Sequence, residues 1–156
     1  MHMTTLQRLT LIIGLSFSML GHGASTGLVL DKAWIRATPP NARVAGAFLT
    51  IENNGNSADR LLSVRTDAAM RVEMHEMKMQ GEMMQMRELK DALVLPAKQA
   101  VTLQPGGIHL MLIEPKQPIA EGQLVSLILR FEKAGERTVQ FIGRKSAPTS
   151  SNPELP

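Results

Sequence analysis

No cysteine occurs among the 156 residues. That absence excludes a disulfide scaffold, a thiolate zinc site, a blue-copper centre and a cysteine nucleophile. It equally excludes a lipid attached to a cysteine of this chain. Tyrosine is absent too, Trp34 is the single tryptophan, and aromatic residues make up only 3%. A base-stacking surface or a carbohydrate platform needs more. Charge of either sign is modest. The formal net charge is +3 and the pI of about 9.6 reflects that small excess, so no phosphate-binding surface and no nucleic-acid partner are expected. What is present is 44% hydrophobic and 20% charged residues, the composition of one folded domain.

The longest apolar run, Leu9 to Leu20, is interrupted by Gly14, Ser16 and Ser18. It is shorter than the roughly 20 residues that span a bilayer. Arg8 precedes it, and the mostly small residues Gly21, His22, Gly23, Ala24 and Ser25 follow, a stretch suited to cleavage. Residues 1–24 are therefore expected to be a signal peptide, with export to the periplasm in a bacterium and no stable membrane insertion. Removing it leaves two histidines, His75 and His109. Of the 11 methionines, six (Met74, Met77, Met79, Met83, Met84 and Met86) fall within positions 74–86.

The remainder reads as strand, turn, strand. Alternating or apolar segments recur between turn signals such as Pro39-Pro40-Asn41, Asn53-Asn54-Gly55-Asn56 and Gln104-Pro105-Gly106-Gly107. They predict an all-β sandwich or barrel of about nine or ten short strands, one domain over 25–145, with no amphipathic helix. Residues 146–156 (SAPTSSNPELP) carry almost no apolar residues and are expected to be disordered. Residues 124–131 are nearly continuously apolar, which predicts a central strand buried on both faces.

Residues 71–86 carry the chemistry. Strand alternation puts Val72 and Met74 on the core side and Glu73, His75, Met77 and Met79 on the other. A two-residue loop at Gln80-Gly81 would pair Met79 with Glu82, Met77 with Met84 and His75 with Met86. His109 and Met111, at i and i+2 beyond a Pro-Gly-Gly turn, share a strand face, with Leu110 directed to the core. Two imidazoles and two thioethers result. Thioether suits Cu(I) and imidazole suits copper generally, whereas hard ions take oxygen and zinc rarely takes methionine. The candidate ligands are His75, Met86, His109 and Met111, with Met77, Met79 and Met84 either supporting the site or forming a docking patch. Alternatives stay open. Methionine fills cores, and a Met-rich surface can bind a protein partner without metal. A copper electron-transfer protein is a third reading, against which the missing thiolate counts. Neither histidine lies in a nucleophile motif such as G-x-S-x-G, and no enzyme is expected.

These residues resemble the periplasmic Cu(I) chaperone family PCu(A)C. The family pattern is a histidine, ten residues and a methionine, then His-x-Met after a longer gap. Here His75 and Met86 are separated by ten residues and His109-Leu110-Met111 follows. The stretches Ala33–Pro40, Gly46–Asn53, Val72–Met77 and Pro105–Met111 are similar as well, and the resemblance covers about residues 28–143. It implies a cupredoxin-like Greek-key β-barrel, monomeric, that binds one Cu(I) and passes it to a copper-accepting protein such as a cytochrome oxidase subunit or a thioredoxin-like copper protein. In one respect the chain departs. Twenty-two residues separate Met86 from His109, one more than is usual in the family. An extra residue at the Lys90-Asp91-Ala92 turn would be harmless, but inside a strand it would turn His109 to the wrong face.

Overall fold

The computed structural model describes residues 27–147. The expected signal peptide, and all but the first two residues of the expected tail, lie outside them. Ten strands fill the described chain: β1 (Leu28–Arg36), β2 (Val44–Asn53), β3 (Asp59–Arg65), β4 (Ala69–Gln80), β5 (Met83–Glu88), β6 (Leu93–Leu95), β7 (Gln99–Leu103), β8 (His109–Pro115), β9 (Leu124–Phe131) and β10 (Gly135–Arg144). Each corresponds to an alternating or apolar segment seen in the sequence, and the described residues contain no helix.

Hydrogen bonding joins the strands in the order β5-β4-β8-β2-β1-β10-β9-β3-β6, with β7 added on β2. Strand β2 changes partner midway. Its first half, Val44 to Ala47, pairs with β8, and its second half, Leu49 to Asn53, pairs with β7. Strand β1 is antiparallel to β2 and parallel to β10, with a bulge after Asp31 where Lys32 takes a φ of 54°. The inward faces of these strands bury one core that includes Ile35, Leu49, Leu61, Leu110, Leu127 and Phe141. Strand β9 differs from its sequence expectation. Val125, Leu127, Leu129 and Phe131 are buried, but Leu124 is 64% exposed and Ser126 lies in solvent. Both edges of β9 are paired, with β10 and β3, while its outer side is left exposed at Leu124, Ser126 and Arg130 and half-buried at Ile128.

Met74 points into this core, as alternation requires. Truncation to alanine there should cost about 2–5 kcal/mol, as for other core methionines. Thermal melting should show the loss, while metal binding by the folded protein stays unchanged. An unaltered melting curve would contradict the face assignment.

Among the described residues, three polar side chains are buried, Asn53, Asp59 and His109. Two have structural work. Asn53 donates from Nδ2 to the carbonyls of Ser57 (3.0 Å) and Leu95 (2.9 Å) and accepts from the Gly55 N–H (3.0 Å). Asp59 accepts from the N–H groups of Lys133 (2.9 Å) and Ala134 (3.0 Å), which ties down the β9–β10 turn. His109 belongs to a different arrangement on the outer face. There Trp34 and Phe48 stack with ring centroids 4.4 Å apart, separate from the main core.

Candidate metal centre

Three adjacent strands build the site. On β8, His109 lies opposite His75 of β4, and Met111 lies opposite Glu73. The other edge of β4 pairs with β5, which places Met77 opposite Met86, Met79 opposite Met84 and His75 opposite Glu88. Alternation then gathers Glu73, His75, Met77, Met86, His109 and Met111 on one outer face, while Met74, Leu110 and Leu112 face the core.

The hairpin register corrects the sequence reading. The loop is Gly81-Glu82, not Gln80-Gly81, so Met86 faces Met77 and sits diagonal to His75. The reason is local. Gly81 takes a φ of 64° and Glu82 does not take a positive φ, which is the arrangement with glycine at the first central position of the turn. Moving the loop by one residue moves the pairing by two, so every side chain keeps its expected face. The longer gap before His109 has no effect on its face either, since His109 pairs with His75.

A surface cleft of about 350 Å³ opens on this face, lined by Met77, Met86, His109 and Met111, with Phe48 in its wall and Arg36 beside it. Three of the four candidate ligands thus share one cleft. The fourth, His75, stands beside it, its ring centroid 5.9 Å from that of His109. Met77, read from the sequence as either supporting the site or part of a docking patch, lines the cleft directly. Its position opposite Met86 depends on the hairpin register, which the sequence did not settle. Gly46 keeps the space open. It lies opposite Met111, and a Cβ there would come within 3.0 Å of the Phe48 ring.

The two imidazoles are fixed in opposite senses. His75 Nε2 lies 2.9 Å from a Glu73 carboxylate oxygen. A carboxylate oxygen here accepts, so Nε2 carries the proton and Nδ1 the lone pair. That Nδ1 is buried and has no partner among the described residues. His109 Nδ1 lies 3.0 Å from the Gly107 carbonyl, which likewise only accepts, so Nδ1 donates and Nε2 is left with the lone pair. An unpartnered buried nitrogen is costly in a finished fold. A bound metal would satisfy it, and a hydrogen bond at the far nitrogen is the usual support of a metal-binding histidine. The hydrogen bond from His75, and then the one from Arg71 at 2.6 Å, hold the Glu73 carboxyl below the usual carboxylate range. The ring therefore has an ionised acceptor.

Two available imidazole nitrogens beside three thioethers form a soft donor set suited to Cu(I). Among the described residues, no three His, Cys, Asp or Glu side chains converge as a zinc or hard-ion site would need. Glu73→Ala should free the His75 ring and lower metal affinity about 10–100-fold, the cost of losing such a support. Chelator competition would measure it, and equal affinity in the variant would remove Glu73 from the site.

Residues 28–142 match the family described as "Putative lipoprotein LpqE-like". The chain belongs to this family. A curated relative, "Putative lipoprotein Lxx21020" of Leifsonia xyli, is 31% identical over 105 residues, which are 67% of this chain and 62% of the relative. The chain thus spans less than two thirds of that relative's length. Among solved structures, the apo PCuAC domain from PmoF1 is 28% identical with a TM-score of 0.67, covering 77% of this chain and 95% of that one. The copper-bound PCuAC domain from PmoF2 is 26% identical with a TM-score of 0.64, over 77% and 94%. The CuI-DR1885 structure from Deinococcus radiodurans is 27% identical with a TM-score of 0.63, over 80% and 84%. The fold is cupredoxin-like, and the chain is PCuAC-like, in keeping with the resemblance carried by its motifs.

Proposed function

We propose that this protein is a Cu(I) carrier of the periplasm, which binds one ion through His75, Met86, His109 and Met111 and hands it to a copper-accepting protein. The observation that carries the reading is the pair of histidines. Each is held by one nitrogen, through Glu73 or Gly107, which leaves the other lone pair unpaired; His109 lines the methionine-lined cleft and His75 stands beside it, 5.9 Å away between ring centroids. Two of the similar solved structures are described with copper, one of them with Cu(I), which supports the choice of ion. The bound metal would supply no bond-making step. The residues grip it, and the open cleft lets a recipient's ligands approach, so the protein acts as a monomeric carrier and not as an enzyme. A cytochrome oxidase subunit or a thioredoxin-like copper protein is the proposed recipient. Export is supported by the lipoprotein descriptions of the family and of the curated relative. Anchoring through an acylated cysteine is not available within these 156 residues, which contain none.

The test is an anaerobic Cu(I) titration against a chromogenic Cu(I) chelator, with a His75→Ala/His109→Ala double variant alongside. Tight one-to-one binding by the wild type, lost in the variant, is expected. A wild-type protein unable to compete with the chelator would overturn the carrier reading and leave the methionines as a packing or docking surface.

A further inference from the structure

The β4–β5 hairpin carries more thioethers than one ion can use. On the face that continues the cleft, two cross-strand pairs stand in file: Met77 opposite Met86 at the cleft, and Met79 opposite Met84 toward the tip. Opposed residues have Cβ atoms about 4.5–5.5 Å apart. Successive pairs on one face are about 6.5–7 Å apart along the strands. The methionine side chain has three rotatable bonds and can close such gaps. The outer pair is not packing the core, since Met79 is 57% and Met84 53% exposed. The whole of β5 is exposed. The opposite face of the hairpin is different in kind, with Glu76 beside Arg87, Lys78 beside Gln85 and Gln80 beside Met83. Thioethers are therefore paired only on the face that leads to His109 and Met111.

We propose that Met79 and Met84 form a second, outer site for a soft monovalent cation, a staging position through which Cu(I) enters and leaves the inner site. The inference rests on the Cu(I)-carrier reading and extends it. Transfer along the file exchanges one thioether for another. Each sulfur gives up its lone-pair bond to copper as the next forms one, the metal stays Cu(I), and no electron or proton moves. Two thioethers make a weaker site than a set that includes two imidazoles, so loading runs inward. Unloading runs outward when the recipient offers the stronger set. Exposure at the tip lets a recipient reach the outer ion without opening the cleft.

The test is an NMR titration of the protein labelled at the methionine ε-methyl carbons, with Cu(I) added anaerobically as its acetonitrile complex. The first equivalent should move Met86 and Met111. The second should move Met79 and Met84 and leave Met70 and Met83 in place. A Met79→Leu/Met84→Leu variant, which keeps apolar bulk and removes sulfur, should retain the first equivalent and lose the second. Met79 and Met84 signals that stay still through the second equivalent, or a variant that still takes it up, would overturn the outer site while the inner one stands. If Met86 and Met111 also fail to respond, the carrier reading itself falls, and the staging site with it.

Discussion

Replacing His109 with alanine is expected to abolish tight Cu(I) binding and to lower stability as well. The affinity loss should exceed the about 10–100-fold that follows loss of a supporting hydrogen bond, because a donor atom itself is removed. The stability loss follows from position. His109 faces away from the main core yet is only 7% exposed, 6.4 Å from Phe48 between ring centroids, and its Nδ1–H is bonded to the Gly107 carbonyl. Sequence alternation alone predicts a fold left largely intact, since it sees only that His109 turns away from Leu110. Losing the hydrogen bond should cost about 0.5–1.5 kcal/mol, with lost packing in addition. Met86→Ala separates the two effects. Met86 is 51% exposed, so its loss should weaken Cu(I) binding with little change in melting temperature. Chelator competition and melting of both metal-free variants would check this. A His109→Ala protein that competes for Cu(I) like the wild type would refute the ligand assignment.

Most of what positions this site is written in period-two alternation. Glu73, His75 and Met77 must share a face because β4 has no bulge between them, and His109 and Met111 share one for the same reason. The hairpin register was not legible. Gln80-Gly81 and Gly81-Glu82 are both short loops built on one glycine, and only the backbone angles decide which is used. The cost of that ambiguity was Met77, which the true register sets against Met86. Nor could alternation show that β4 and β8 are neighbours. They are separated by β5, β6 and β7 in sequence, and their pairing brings His75 to His109. The surroundings of β9 were misread for a related reason. A continuous apolar run tells which residues tolerate burial, whereas covering both faces requires another layer, and among the described residues the outer side of β9 stays exposed at Leu124, Ser126 and Arg130.

The second large effect is expected away from the candidate metal centre, at Gly143 of β10. A Cβ built there would lie 2.0 Å from the carbonyl oxygen of Ala120 and 3.1 Å from its carbon. These are backbone atoms of the segment before β9, held by two further contacts. The Gly143 N–H donates to the Gln123 carbonyl at 2.8 Å, and the Gly143 carbonyl accepts from the Gly122 N–H at 2.8 Å. No flexible side chain can move aside, so Gly143→Ala must displace the 120–123 loop and break those bonds, or distort β10 where it pairs with β1 at Ile35. Overpacking costs about 1–3 kcal/mol where neighbours can yield. Here the loss should reach or pass the upper end, lowering the melting temperature of the metal-free protein by roughly 10 °C. Gly135→Ala is the control. Gly135 has a φ of 71° and open space around its Cβ position, so only the left-handed conformation resists substitution, at about 1–2 kcal/mol. If Gly143→Ala melts no lower than Gly135→Ala, the close approach at Ala120 is not a constraint on the fold. The ordering expected from steric contact puts Gly143→Ala clearly below, with Cu(I) affinity of the folded fraction unchanged, since neither glycine lines the cleft.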